Sequence, residues 1–127
     1  MPIAVSLAPG DPPTGVVALR GEQDGYSAPR LENELHALLD EALAVVVDLT
    51  EATFLDSQSL SILLGVRHRA ERSSLGFTVV LPREPYTQVH RILEITGLIR
   101  TLAAYPNCAA ALAAARTGRN GGRARAA

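Results

Sequence analysis

The residue types best suited to chemistry stand together at Asp56-Ser57. They come after the apolar run AVVVDLT, Ala44 to Thr50, which predicts a strand buried on both faces. Leu60 and Leu63 then predict the inward side of a helix that opens at Asp56-Ser57. A hydroxyl on the first turn of a helix lies beside unpaired backbone N–H groups and the positive end of the helix dipole. Ser57 could therefore carry a phosphate without disturbing the helix.

The same pair has a plainer interpretation, because either residue is an ordinary N-cap. An enzyme that uses Ser57 as nucleophile would need a base, and His68 is the nearest candidate. His68 lies eleven residues further along the same predicted helix, about 16 Å away by helical rise, and no nucleophile-elbow motif is present. The sequence thus predicts no catalytic residue and no enzyme.

Metal and cofactor sites also lack support in the sequence. The three histidines fall singly on three predicted helices without the spacing of metal ligands: His36, His68 and His90. Cys108 is the only cysteine, which excludes a disulfide framework and a thiolate cluster. No Gly-rich phosphate loop is present, so nucleotide binding is not predicted.

Charge argues against direct nucleic-acid binding. The 127 residues include twelve basic and thirteen acidic side chains, and every basic one is Arg. Residues 1–115 hold only eight of the Arg but all thirteen acids, so the folded part is acidic. Nucleic-acid affinity depends on neutralising phosphates, which an acidic domain does poorly. No signal peptide or membrane-length apolar stretch is visible, and the expectation is a soluble cytoplasmic protein without membrane contact.

The apolar pattern predicts the elements that must position Asp56-Ser57. The predicted strands are Ile3 to Ala8, Gly15 to Arg20, Ala44 to Thr50, Gly76 to Leu81 and a short one near Leu102. The predicted helices are Ala28 to Ala42 with Ser27 as N-cap, one from Asp56-Ser57, Pro85 to Gly97, and Asn107 to Arg116. The first two strands form a hairpin, and the later strand–helix alternation requires right-handed crossovers.

These elements predict a single α/β domain. Its sheet has four to five strands, mostly parallel but mixed, with helices chiefly on one face. The domain is expected over residues 1–116, followed by a disordered Gly/Arg/Ala-rich tail at 117–127. Partner or ligand contacts belong at the carboxyl ends of the strands, which is where Asp56-Ser57 is expected.

Three segments together resemble STAS domains of the anti-sigma factor antagonist type. VVVDLTEATFLDSQSLSILLGVRHRA resembles the family's strand ending in Asp-Leu-Ser/Thr, followed after three residues by Phe-hydrophobic-Asp-Ser-Ser-Gly-Leu and a helix. GEQDGYSAPRLENEL resembles its Gly-Glu-hydrophobic-Asp loop and first helix, and HRILEITGLIRTL resembles its later Thr-Gly-Leu segment. The resemblance covers residues 14–116 and implies a STAS-like (SpoIIAA-like) fold.

The resemblance implies a bacterial partner switch in stress-response or other transcription regulation. The unphosphorylated domain binds an anti-sigma factor that is also a Ser/Thr kinase and so frees the sigma factor. Phosphorylation of the Ser after the motif's Asp releases that partner, and a Ser/Thr phosphatase resets the switch. Carried over, Ser57 is the phosphoacceptor, and Asp24, Asp56, Ser57, Gln58 and Ser59 are the partner-binding positions. Such a domain acts as a monomer or weak dimer.

Three positions depart from the family pattern. Gln58 and Ser59 replace the motif's second Ser and its Gly, and Gln23 stands where the loop usually has an apolar residue. A phosphate at Ser57 is expected to act at the interface, by repelling an acidic partner surface and by disturbing close packing. Ser59 is interpreted as a solvated first-turn serine, with a second acceptor as the alternative. The alternative function is a STAS scaffold module in which Ser57 is never phosphorylated.

Overall fold

The computed structural model describes residues 3–118. Five strands are present: β1 (Ile3–Ala8), β2 (Thr14–Gln23), β3 (Val45–Leu55), β4 (Phe77–Val80) and β5 (Ala104–Tyr105). Five helices are present: α1 (Ala28–Asp40), α2 (Ser57–Arg72), α3 (Gln88–Ile95), α4 (Leu98–Thr101) and α5 (Cys108–Arg116).

The strands form one sheet in the order β1-β2-β3-β4-β5. β1 and β2 are antiparallel, whereas each of the other neighbours is parallel. The predicted hairpin and the mostly parallel mixed sheet are therefore confirmed. Because β2, β3 and β4 run the same way, the loops after them lie along one edge, the carboxyl edge.

The two faces of the sheet are covered unequally. α1, α2 and α3 bury leucines and valines on one face, and α4 packs Leu98 and Ile99 against the same core. α5 alone covers the other face, where Ala111 and Ala115 meet Val46 and Val80. This confirms helices chiefly on one face. Val46 and Val47 point to opposite faces and both are buried, which explains the unbroken Val run of β3.

β3 and α3 have bounds that differ from the prediction. β3 continues to Leu55 instead of ending at Thr50, because β2 stays paired with it through two irregularities as far as Gln23 opposite Leu55. α3 begins at Gln88 instead of Pro85, because the extended Thr87 caps it by accepting from the His90 N–H at 3.1 Å.

The predicted tail begins inside the described part of the chain. Thr117 and Gly118 form a turn that closes α5, with their N–H groups donating to Ala114 and Ala115 carbonyls. The rest of the predicted tail, residues 119–127, lies outside the described residues, as do residues 1 and 2.

Candidate partner-binding site

Ser57 is the first residue of α2 and its side chain is exposed at the carboxyl edge of the sheet. Asp56 is the N-cap, with extended backbone, and its Oδ1 accepts from the Ser59 N–H at 2.8 Å. The predicted helix start is confirmed. An Asp cap satisfies one of the four free N–H groups of the first turn and leaves the Ser57 hydroxyl facing outward.

Asp56 also ties α2 to the loop after β2. Its N–H donates to the Gln23 carbonyl at 3.2 Å, and the Gly25 N–H is near enough to its carboxylate to favour the charged form. The Ser59 N–H, then the Ser59 hydroxyl, and more weakly the Gly25 N–H favour the charged carboxylate and hold the pKa of Asp56 below its ordinary value, against partial burial. The turn that carries Ser57 and the loop that carries Asp24 are thus one connected unit.

Asp24 lies on the exposed side of that loop. Its Oδ1 accepts from the Tyr26 N–H at 2.9 Å, and its carbonyl accepts from the N–H groups of Ser27 and Ala28. The carboxylate therefore stabilises the turn into α1 while remaining open to solvent. The structure brings Asp24 to the same edge as Ser57, as the resemblance implied.

Gln23 is fully buried, which explains how a polar residue fills a position usually apolar in the family. Its Nε2 donates to the Arg20 carbonyl at 3.0 Å, and its Oε1 accepts from the Ser27 hydroxyl at 3.2 Å. Ser27 occupies the predicted N-cap position of α1 but makes no capping bond through its side chain. Its hydroxyl satisfies the buried Gln23 instead.

Gln58 and Ser59 point in different directions. Gln58 is exposed and reaches across to the β2–α1 loop, where its Oε1 lies 2.8 Å from the place a Gly25 Cβ would take. Ser59 is fully buried, so the expectation of a solvated first-turn serine is wrong. Ser59 falls on the inward stripe of α2 and presents no side-chain atom to a partner.

Gln88 joins a third loop to the same edge, and the sequence analysis missed it. Its side chain donates to the Leu55 carbonyl at 3.1 Å and accepts from the Leu55 N–H at 3.0 Å. The Arg83 N–H also donates to the Thr50 carbonyl at 3.2 Å. The loop between β4 and α3 is therefore bound to the end of β3, directly beside the Ser57 turn.

Among residues 3–118, no group of three or more His, Cys, Asp and Glu side chains could hold a metal ion. None of the helices in that same stretch is both long and apolar enough to cross a membrane.

Comparisons with known proteins agree with the resemblance. A family model described as "Mlab, STAS domain" matches residues 8–103. The chain is 29% identical over 101 residues to an anti-sigma-B factor antagonist of Listeria monocytogenes, with 77% of this chain and 84% of the relative covered.

Solved structures give the same result. The crystal structure of an anti-sigma factor antagonist from Mycobacterium paratuberculosis is similar with a TM-score of 0.73 and 35% identity, over 90% of this chain and 94% of that one. Unphosphorylated SpoIIAA, an anti-sigma factor antagonist, is similar in fold, with a TM-score of 0.63 and 16% identity over 90% and 97% of the two chains. The family model spans well over half of the chain, which therefore belongs to the STAS domain family.

Proposed function

We propose that this STAS domain is an anti-sigma factor antagonist that is switched off by phosphorylation at Ser57. In its unphosphorylated form it binds an anti-sigma factor that is also a Ser/Thr kinase, and the sigma factor is freed. The phosphorylated form lets the kinase go, and a Ser/Thr phosphatase restores the first state. The observation that carries this proposal is the exposed Ser57 hydroxyl on the first turn of α2, joined through Asp56 to the Asp24 loop.

The names of the relatives support the partner class. The Listeria and Mycobacterium relatives are named as antagonists of anti-sigma factors, and their similarity extends over most of this chain. The site geometry supports a reversible contact, because the side chains of Asp24, Ser57 and Gln58 are exposed on one connected surface. Asp56 contributes by fixing that surface, whereas the buried Ser59 acts through α2 packing.

A phosphate on Ser57 would be tolerated by the fold. The first turn of a 16-residue helix supplies free N–H groups and the positive end of the dipole, both of which favour an anion. The added charge is about −1.5 to −2 at pH 7. Since Ser57 is exposed and outside the core, the modification changes the contact surface and leaves the sheet and helices in place.

The second candidate is a scaffold module in which Ser57 is never phosphorylated. The observation that favours it is Gln58, which stands next to Ser57 and extends over Gly25. A kinase active site must accept the residue after its target serine, and Gln58 is bulkier than the Ser of the family pattern. Binding of a partner would then be constitutive.

The partner switch requires only one domain per kinase, so a cytoplasmic monomer or weak dimer is sufficient.

Wild type, Ser57→Ala and Ser57→Asp are each incubated with purified anti-sigma factor kinases from the source organism, with and without ATP. Phosphate incorporation is read by mass spectrometry and binding by pull-down. The expected result is one phosphate on Ser57 of the wild type, binding by Ser57→Ala, and loss of binding by Ser57→Asp.

Other outcomes separate the candidates. Binding by all three proteins without phosphate incorporation favours the scaffold module. Failure of every kinase to bind the wild type removes the proposed function while leaving the fold and family unchanged. Phosphate on a residue other than Ser57 would contradict the assignment of the acceptor.

A further inference from the structure

Aromatic side chains are few in this chain, and their placement is uneven. There are three Tyr and two Phe. Tyr26 is 98% exposed, Tyr86 is 88% exposed and Phe54 is 39% exposed. Phe77, by contrast, is fully buried. The fold core is aliphatic, and three of the five aromatic side chains are exposed.

The three exposed aromatic residues stand close in the chain to the Ser57 turn or to residues that are bonded to the segment leading into it. Phe54 stands three residues before Ser57, and Tyr26 stands three residues after Gln23, whose carbonyl accepts from the Asp56 N–H at 3.2 Å. Tyr86 stands two residues before Gln88, whose side chain is bonded to the backbone of Leu55. We call Tyr26, Phe54 and Tyr86 the aromatic rim.

Single exposed apolar residues are common and need no explanation, but a group around one point does. Tyrosine is among the residues that contribute most to protein–protein binding, since it buries a large area at low entropic cost and keeps a polar tip. One aromatic side chain at the end of β3 and two on loops that are hydrogen-bonded to this end therefore mark a contact surface.

Charged residues beside the rim are mostly acidic. Glu22 lies opposite Phe54 in the sheet, Asp24 precedes Tyr26 by two residues, and Glu84 precedes Tyr86 by two. Asp56 adds a fourth carboxylate, and Arg83 is the basic residue of the β4–α3 loop. A partner surface that complements this edge is basic with apolar pockets.

A basic partner changes the physics of the switch. A phosphate on Ser57 would attract Arg or Lys on such a partner, so charge repulsion between the two proteins cannot cause release. The remaining causes are disturbed close packing and desolvation, because a phosphate enclosed by aromatic side chains takes up space and loses its water without gaining enough hydrogen bonds.

We propose that the aromatic rim is the apolar contact for the anti-sigma factor and that release follows from burying the Ser57 phosphate inside it. This inference rests on the proposed function. It differs from the sequence-based expectation, in which repulsion from an acidic partner surface contributed.

Salt dependence tests the cause of release. The affinity of the kinase that binds wild type is measured for unphosphorylated and Ser57-phosphorylated protein at about 50 mM and about 500 mM NaCl, between which the Debye length falls roughly threefold. We expect phosphorylation to weaken binding about tenfold or more at low salt. At high salt, phosphorylation should weaken binding by the same factor or by a larger one. A factor that shrinks at high salt indicates screened repulsion and overturns the inference.

Variants test the rim itself. Tyr26→Ser and Tyr86→Ser are each expected to weaken binding of unphosphorylated protein about tenfold and to narrow the difference between the two phosphorylation states. Leu7→Ser is the matched control, since Leu7 is 56% exposed on β1 and distant in the chain from all three rim residues. Circular dichroism checks that all three variants are folded.

The outcomes are distinct from those of the proposed function. If wild type binds a kinase and both Tyr variants bind it as well as the Leu7→Ser control does, the rim is not the contact and only this inference fails. If no kinase binds wild type at all, the proposed function fails and the inference fails with it.

Discussion

Gly76 and Gly25 both leave room for a neighbour, but the neighbours differ in kind. A Cβ on Gly76, just before β4, would lie 2.0 Å from the carbonyl oxygen of Ala115 in α5. A Cβ on Gly25, in the β2–α1 loop, would lie 2.8 Å from Oε1 of Gln58. The first obstacle is helix backbone, and the second is the free end of a long exposed side chain.

The two contacts therefore differ in how rigidly they hold their neighbours. α5 is held against β4 at a fixed distance, because the buried Thr78 hydroxyl also donates to the Ala111 carbonyl at 2.8 Å. Gln58 can rotate away from Gly25 at little cost, since it is solvated. The amino-terminal side of the sheet is built for rigidity, whereas the carboxyl edge keeps side chains that can adjust to a partner.

The Gly76→Ala substitution should break the first contact and have the largest effect. The methyl group cannot fit unless α5 moves as a body, and overpacking of this kind costs about 3 kcal/mol of unfolding free energy. Urea denaturation followed by circular dichroism measures the change.

Gly65→Ala is the matched control for that experiment. Gly65 is exposed in the middle of α2, and nothing lies within 4 Å of the position its Cβ would take. Alanine there should stabilise the protein by about 0.5 to 1 kcal/mol, because it favours helix. If Gly76→Ala were as harmless as Gly65→Ala, the close packing of α5 on β4 would be wrong.

Asp56 is the residue that fixes the backbone at the otherwise adjustable carboxyl edge. Asp56→Ala should therefore have the second largest effect on the unfolding free energy. The loss of a helix cap costs about 1 kcal/mol of unfolding free energy. Asn107 is a matched control, because it caps α5 in the same way by accepting from the Ala110 N–H at 2.8 Å. Both Ala variants should lose similar stability in urea, but only Asp56→Ala should weaken partner binding.

The pH dependence distinguishes the two caps further. The pKa of Asp56 is lowered in the folded protein by the Ser59 N–H above all, so its carboxylate stabilises the fold above its unfolded pKa. That contribution is lost as the pH falls below about 4. The difference in unfolding free energy between wild type and Asp56→Ala should therefore shrink in acid. The corresponding difference for Asn107→Ala should stay constant, and equal behaviour of the two would contradict the role given to Asp56.

The parts of the fold and of the site that could be predicted from the sequence are those that depend on neighbouring residues in the chain. The Val run, the leucine stripes and the turn residues are patterns among a few neighbours. They predicted the strands, four of the five helices and the Asp56-Ser57 helix start, but not the single turn of α4. The end of α1 was placed two residues late, because Ala42 has a positive φ of 61° that apolar spacing does not reveal.

Other features depend on contacts between distant parts of the chain. Gln88 and Leu55 are 33 residues apart, and nothing local in either segment indicates that they are bonded. The burial of Ser59, by contrast, has a local signal, because Ser59 lies on the same buried side of α2 as Leu63 and Val66. Periodicity could have placed it inside, but the frequency of serine on exposed first turns suggested otherwise.

Gly25→Ala should give the smallest change in unfolding free energy of these substitutions. It tests most directly whether the carboxyl edge can adjust while the α5 contact cannot. Gly25 does not have a positive φ, so alanine is compatible with its backbone, and Gln58 needs only to rotate. The expected loss is about 0.5 kcal/mol of unfolding free energy, within the range of surface substitutions. Partner binding should fall clearly, because the displaced Gln58 changes the surface beside Ser57.

A double-variant cycle with Gln58→Ala separates these effects. If the Gln58 side chain is the only obstacle, Gly25→Ala should cost nothing in the Gln58→Ala background, and the two substitutions should be non-additive by about 0.5 kcal/mol. Urea denaturation of the four proteins measures this coupling. A loss for Gly25→Ala as large as that for Gly76→Ala would mean that the carboxyl edge is as rigid as the α5 contact, and an adjustable binding surface could then not be inferred from Gln58.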